Sequence, residues 1–276
     1  MTSEVQNWLL FIGPPKTGTS WIDQVLRSAE GVRLPQRVKE TFFFDRHFDR
    51  GFPWYFAQFA ARPTDQWFVE VGPTYFFSKN ALQRIKETIP QARIVVTLRD
   101  PVRRSISHYL HVRRRGLTDL SIERAIEAFP GIVNQSIYAR KLESWFSRFG
   151  RNNVEIMFYE DVIGNLPEFA RMLVGYGIGE LSLKEPHKRV NAASAPRSRF
   201  LAKSVELAVG KLRSASLHRI VEIGKSVGLR DAAFSGGVLP DARDMEQGLS
   251  TWKSDFMRDR MALERLIGHA PPWKYD

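Results

Sequence analysis

The sequence predicts a three-layer α/β fold, a central parallel sheet flanked by helices. Two observations carry that reading. Short apolar, β-rich segments recur at Trp8–Ile12, Trp67–Val71, Arg93–Leu98 and Val154–Phe158, and stretches of helical periodicity lie between them. The first strand runs straight into Gly13-Pro14-Pro15 and then an amphipathic stretch, a strand–loop–helix order. Strands alternating with helices form parallel sheets, whose ligands collect at the carboxyl ends of the strands. The loop from Gly13 to Ser20 falls at such an end.

The elements follow in order. After the loop, Trp21–Ser28 has the spacing of an amphipathic helix, and Ala81–Glu87 follows the second strand in the same way. The third strand ends at Leu98; Arg99 closes it, Asp100-Pro101 starts a helix, and Ser105–Arg113 continues it. Tyr138–Phe149 and Phe169–Tyr176 flank the fourth strand. Trp252–Leu266 reads as a closing helix that Gly268 and Pro271-Pro272 stop. With no internal repeat or low-complexity linker, residues 1–276 read as one domain of P-loop type, with a basic helical C-terminal region from about residue 185. Between Arg197 and Arg230 that region carries eight Lys/Arg against two acids, with apolar spacing at Leu201, Val205, Ala208 and Leu212. Most of these charges read as a solvated face. The alternative is a basic rim over the active site, or a surface that touches an acceptor or a membrane.

Composition bounds the partners. A net charge of +11 attracts anions: nucleic acid, anionic lipid, a phosphorylated cofactor or an acidic glycan. The chain has no cysteine, which excludes disulfides and thiolate metal sites and fits a reducing cytoplasm. MTSEVQNW has neither a basic nor an apolar leader, and no apolar run reaches the length of a membrane span. The expectation is a cytoplasmic protein, peripheral to a membrane if residues 197–230 bind one. Oligomeric state is not legible.

Three segments carry chemistry. In FIGPPKTGTSW, Lys16 supplies a point charge, Gly18 lets backbone approach an oxyanion, and Thr17, Thr19 and Ser20 add hydroxyls before a helix N-terminus. A triphosphate-binding loop places its lysine after the second glycine; here Lys16 precedes Gly18. The plain alternative is a Gly-Pro-Pro turn with a helix cap. In RVKETFFFDRHFDRG, Glu40 stands between Lys39 and a run holding three Phe, a setting suited to taking a proton from an alcohol. On these residues alone, an exposed Glu paired with Lys39 is the plainer reading. In TLRDPVRRSISHYLHVRRR, Arg99 at a strand end and Ser107 eight residues on suit a second phosphate, unless Arg99 and Asp100 form a structural ion pair. The basic helix lacks an aromatic platform or RNA-binding signature, so nucleic acid is not expected as a partner. No cluster of metal ligands is expected.

PPKTGTSW, RVKETFFFDRHFDRG and LRDPVRRSISHY, in this order and spacing, resemble the sulfotransferases that use 3′-phosphoadenosine-5′-phosphosulfate (PAPS), and the carbohydrate enzymes of heparan-sulfate type most of all. SIYARKLESWFSRFGRNNVEIMFYEDV and LERLIGHAPPW extend the resemblance over most of the chain, with Asn191–Asp244 poorly anchored. The resemblance implies that the loop grips a 5′-phosphosulfate. Lys16 then neutralises charge at the bridging oxygen, Thr17, Gly18, Thr19 and Ser20 hold the 5′-phosphate, and Trp21 packs on the adenine. It further implies Arg99 and Ser107 on the 3′-phosphate, Glu40 as general base, and His111 near the reaction. The implied reaction is an in-line displacement at sulfur that needs no metal. It delivers the group to a hydroxyl or amine of a glycan, glycolipid or small alcohol and releases adenosine 3′,5′-bisphosphate. Golgi relatives begin with a membrane anchor, so the chain looks more like a bacterial cytoplasmic member.

Two departures stand out. Val71 in FVEVGPTYF occupies a place where many carbohydrate members have lysine. The basic loop over the cofactor is not cleanly legible, with RVNAASAPRSRF, and Arg197 or Arg199, as the candidate 3′-phosphate contact. Two rivals remain. A P-loop kinase using ATP and Mg²⁺ would need lysine after Gly18 and a strand-end Asp, and Asp100 is the only comparable acid. A non-enzymatic basic module would leave the loop motifs unexplained.

Overall fold

Five parallel strands in the order β2-β3-β1-β4-β5 form the sheet: β1 (Asn7–Phe11), β2 (Val32–Arg33), β3 (Trp67–Val71), β4 (Arg93–Leu98) and β5 (Val154–Phe158). The computed structural model describes residues 7–29, 31–36, 38–59, 67–175 and 239–273. The register sets Leu9 opposite Val69 and Arg93, so β1 is central. Four strands coincide with the apolar segments legible in the sequence. The fifth, β2, has two residues, too few for any periodicity to announce it.

Both faces of the sheet are covered, which is why its strands read as nearly continuous apolar runs. On one face, Leu9, Phe11, Val69 and Val71 pack against Ile22, Val25 and Leu26 of α1 (Thr19–Arg27) and against Phe169 and Leu173 of α10 (Leu166–Gly175). On the other, Trp8, Leu10, Phe68, Ile94 and Val96 meet an aromatic layer. That layer draws on α2 (Phe43–Arg46), α3 (Gly51–Phe56) and α8 (Ala139–Phe149), with Ala81 and Ile85 of α4 (Lys79–Thr88) packed beside them. Each fully buried Leu, Ile, Val or Phe contributes about 1.5–3 kcal/mol relative to exposure. Trp145 of α8 also donates from Nε1 to the Phe76 carbonyl at 3.1 Å. Asp259, on α12 (Lys253–Ile267), accepts from the backbone N–H groups of Tyr138 and Ala139 at 2.7 and 3.0 Å. A side chain 120 residues away in sequence thus caps α8.

The chain divides into two units: Met1–Asp100 with Ile137–Val190 and Met257–Asp276, and Pro101–Ser136 with Asn191–Phe256. The second holds α5 (Pro101–Arg114), α6 (Ile122–Ala128), α7 (Gly131–Asn134) and α11 (Ala242–Gln247). Its anchor is Arg104, fully buried, whose guanidinium donates to Ser136 Oγ at 2.6 Å, to the Gly131 carbonyl at 3.1 Å and to the Ile132 carbonyl. The basic segment 197–230 and Arg197 and Arg199 within it lie outside the described residues. Among the described residues no helix is long and apolar enough to cross a membrane.

Candidate active site

The loop after β1 is shaped by close approach and by two left-handed residues. A side chain at Gly13 would meet the Thr97 backbone at 2.6 Å, so only glycine lets the loop leave the sheet here. Thr17 is buried and donates its hydroxyl to the Pro14 carbonyl at 2.7 Å, so that proton holds the loop's own shape. Lys16 and Gly18 have φ of 80° and 86°. Glycine takes this conformation freely, whereas at lysine it costs about 1–2 kcal/mol, strain that concentrates at functional sites. Gly18 is also packed under Ile163, whose side chain lies 2.4 Å from where a Cβ would stand. It caps α1 without a side-chain hydrogen bond. Glycine offers no side chain to cap the first-turn amides, and among the described residues no N-cap side chain competes for them, as in helix N-termini that hold anions. Trp21 lies on the inner side of α1, 8% exposed, its ring edge-on to Phe169 at 5.3 Å. The structure thus places that ring in the core beneath the helix.

Glu40 comes to this loop through lysine. Lys39 Nζ donates to Glu40 Oε1 at 3.0 Å and to Thr19 Oγ1, in the first turn of α1, at 3.2 Å. The Lys39–Glu40 pair therefore exists, and it also stands against the first turn of α1, at the end of the loop after β1. Two residues on, Phe42 is left-handed with φ 52° and ψ 25°. Among the described residues, Lys16 and Phe42 are the two non-glycine residues with positive φ, one in each motif.

Arg99 leaves β4 pointing back at the same loop. Its guanidinium lies 4.1 Å over the Tyr159 ring, and one terminal nitrogen donates to the Lys16 carbonyl at 3.2 Å. Tyr138 donates its hydroxyl to the Arg99 carbonyl at 2.8 Å. Arg99 Nε is buried with no hydrogen-bond partner among the described residues. No ion pair with Asp100 forms among them either. Asp100 instead donates its backbone N–H to Glu160 at 3.0 Å. The structural ion pair is thereby replaced by a stacked guanidinium carrying a spare donor, the state expected of an anion ligand.

The remaining candidates lie in the second unit. Ser107 and His111 are both half-buried on α5, one helical turn apart, and His111 Nδ1 is 3.5 Å from the Arg114 guanidinium. Among the described residues no group of three or more acids or histidines is placed to hold a metal.

One prominent residue carried no weight in the sequence reading. Glu70, in β3, is 0% exposed. Its Oε1 accepts from the Tyr75 hydroxyl at 2.8 Å, from the Thr41 N–H at 3.3 Å and from the Thr41 hydroxyl, and its Oε2 accepts from the Tyr55 hydroxyl at 2.7 Å. Burial pushes the carboxyl above its ordinary value, and the hydrogen bonds from Thr41, Tyr55 and Tyr75 pull it back. Burial, then the charge of Glu70, pushes both tyrosines well up, so their hydroxyls stay protonated and donate. The signal was an acid inside an otherwise apolar strand, WFVEV. Val71, in the place where many carbohydrate members have lysine, is buried at 0% among the aliphatic residues of the opposite face.

The comparisons agree with the motifs. A family model described as a sulfotransferase domain matches residues 6–175. Over 149 residues the chain is 31% identical to heparan sulfate glucosamine 3-O-sulfotransferase 6 of Mus musculus, a match covering 51% of this chain and 43% of that protein. Heparan sulfate glucosamine 3-O-sulfotransferase 3B1 of Homo sapiens is 30% identical, over 51% of this chain and 38% of its own. The matches thus span less than half the length of these relatives. In structure, the chain resembles a sulfotransferase from Alicyclobacillus acidocaldarius at a TM-score of 0.65 and 17% identity, covering 97% of this chain and 98% of that one, a likeness of fold. With a family model matching more than half its length, and with the loop, the Lys-Glu segment and the strand-end arginine that the motifs specify, this chain belongs to the sulfotransferase domain family.

Proposed function

We propose that the chain transfers a sulfuryl group from PAPS to a hydroxyl or amine of a glycan-like acceptor. The observation that carries this reading is the placement of Lys39, whose ammonium joins Glu40 to Thr19 at the phosphate loop. A carboxylate and a phosphate site one ammonium apart are what a displacement at sulfur needs. Glu40 takes the proton of the acceptor, and the freed oxygen or nitrogen attacks sulfur. The bond from sulfur to the bridging oxygen breaks, and adenosine 3′,5′-bisphosphate departs. Lys16 neutralises the charge that grows on that bridging oxygen. The uncapped first turn of α1 holds the 5′-phosphate, and Arg99 takes the 3′-phosphate with the donor it has to spare. As in phosphoryl transfer, positioning and charge neutralisation do most of the work.

The heparan sulfate relatives named above favour an amino-sugar glycan as acceptor, and the net charge of +11 suits an anionic chain. The deciding experiment incubates the protein with sulfur-labelled PAPS and three acceptor classes: desulfated heparin fragments, a glycolipid and a small alcohol. Label should move to the heparin fragments, and adenosine 3′,5′-bisphosphate should raise the melting temperature where Mg·ATP does not. Stabilisation by Mg·ATP alone, without transfer of label, would return the protein to the kinase reading.

A further inference from the structure

Glu70 is out of reach of any substrate, being fully buried in a central part of the sheet, where it is paired in register with Leu10. Along β3, Trp67, Val69 and Val71 face the aliphatic core, whereas Phe68 faces the aromatic layer. By the two-residue period of a strand, Glu70 shares the side of Phe68. There its carboxylate lies among Tyr55 and Tyr75. A wholly apolar cluster, with Phe in place of the two tyrosines, often serves stability at such a position as well as a buried charge and its donors do, so stability alone does not account for an acid. What the acid does uniquely is gather donors from three separate segments. Tyr55 comes from α3, Tyr75 from the turn after β3, and Thr41 from the stretch that carries Glu40.

Thr41 is held at two points. Its N–H and its hydroxyl both donate to Glu70 Oε1, and the same hydroxyl accepts from the Phe43 N–H at 3.1 Å. Between these contacts lies Phe42 in its left-handed conformation, which a bulky side chain adopts only when its surroundings impose it. The residue immediately before this clamp is Glu40. On its other side Glu40 is held by Lys39, which reaches Thr19. Glu40 is thus flanked on one side by backbone tied to β3 through Thr41 and on the other by a lysine side chain that reaches the phosphate loop.

We infer that Glu70 is the positioning residue for Glu40: its buried carboxylate, through Thr41, fixes the backbone turn that aims the Glu40 side chain at the phosphate loop. The inference rests on the sulfuryl-transfer reading and deepens it. Glu70 itself touches no reactant. A general base displaced by about 1 Å loses on the order of a hundredfold in rate, so loosening the clamp shows in turnover rather than in donor binding.

The test is a double-mutant cycle on transfer from labelled PAPS to desulfated heparin fragments, with bisphosphate affinity measured on the same preparations. Glu70→Gln preserves size but keeps a single acceptor oxygen, so its NH2 must face either Tyr55 or the Thr41–Tyr75 pair and one side of the cluster loses its acceptor. Turnover should fall by about ten- to a hundredfold, with KM for the fragments and the dissociation constant for the bisphosphate unchanged. In a Glu40→Gln background the same change should cost nothing further, because the group it positions is gone. If Glu70→Gln does not fold, Tyr75→Phe removes one donor with little change of shape. It should slow turnover by about fivefold and likewise have no effect once Glu40 is Gln. Wild-type turnover in folded Glu70→Gln, or losses that multiply in the double variant, overturns the positioning role. Failure of the wild type to transfer label overturns the sulfuryl-transfer reading instead, whereas full speed in Glu40→Gln removes Glu40 as the base and the positioning role with it.

Discussion

Replacing Glu40 with Gln separates the two roles open to this residue by the size of what is lost. As a salt-bridge partner, Glu40 contributes little. The pair with Lys39 is 3.0 Å long, but the two side chains are 25% and 23% exposed. With about a quarter of each side chain still reaching water, the pair is worth about 1 kcal/mol, and Gln still offers Lys39 an oxygen. The melting temperature of a chain of this size should therefore fall by no more than about 2–4 °C. As general base, Glu40 contributes far more, because Gln cannot accept the proton. Loss of a positioned base costs about a hundredfold to ten-thousandfold, equivalent to about 2.7–5.5 kcal/mol of barrier. The assay is single-turnover transfer from labelled PAPS to desulfated heparin fragments, with bisphosphate binding measured by calorimetry. The expected result is a collapse in rate, bisphosphate affinity unchanged and stability nearly so. A folded variant that turns over within a few-fold of wild type would refute the assignment, and His111 on α5 would become the residue to test.

Lys16→Ala should keep the fold, since alanine meets the same φ of 80° that lysine does, and lower turnover by about a hundred- to a thousandfold; near-normal transfer removes Lys16 from the mechanism. Arg99→Ala should weaken adenosine 3′,5′-bisphosphate by about ten- to a hundredfold relative to adenosine 5′-monophosphate, the value of a lost charge-assisted hydrogen bond. Equal weakening of both ligands would show instead that Arg99 serves only to brace the loop through the Lys16 carbonyl. Gly13→Ala should cost about 1–3 kcal/mol in denaturant unfolding or more, because its Cβ would meet backbone at Thr97. A change below about 0.5 kcal/mol, the range of ordinary surface substitutions, would contradict that close approach.

The strands β1, β3, β4 and β5, the loop and the long helices were legible because local chemistry sets them. An apolar run bounded by turn residues, a Gly-Pro-Pro break and a period of 3.6 are all visible within a few residues of chain. The family was legible for the same reason, since its motifs are short and contiguous. What joins those motifs was not. Lys39 meets Thr19 across 20 residues, Thr41 meets Glu70 across 29, and Arg99 meets the Lys16 carbonyl across 83. Each contact depends on the strand order β2-β3-β1-β4-β5, and no local pattern encodes the neighbours of a strand, least of all of the two-residue β2. Tertiary packing likewise decided that Trp21 faces Phe169, that Tyr159 carries Arg99, and that an acid in an apolar strand is enclosed by two tyrosines and a threonine. Sequence names the residues able to do the chemistry. Only the packed sheet sets the distances between them, because those distances are sums over segments that meet for the first time in the folded chain.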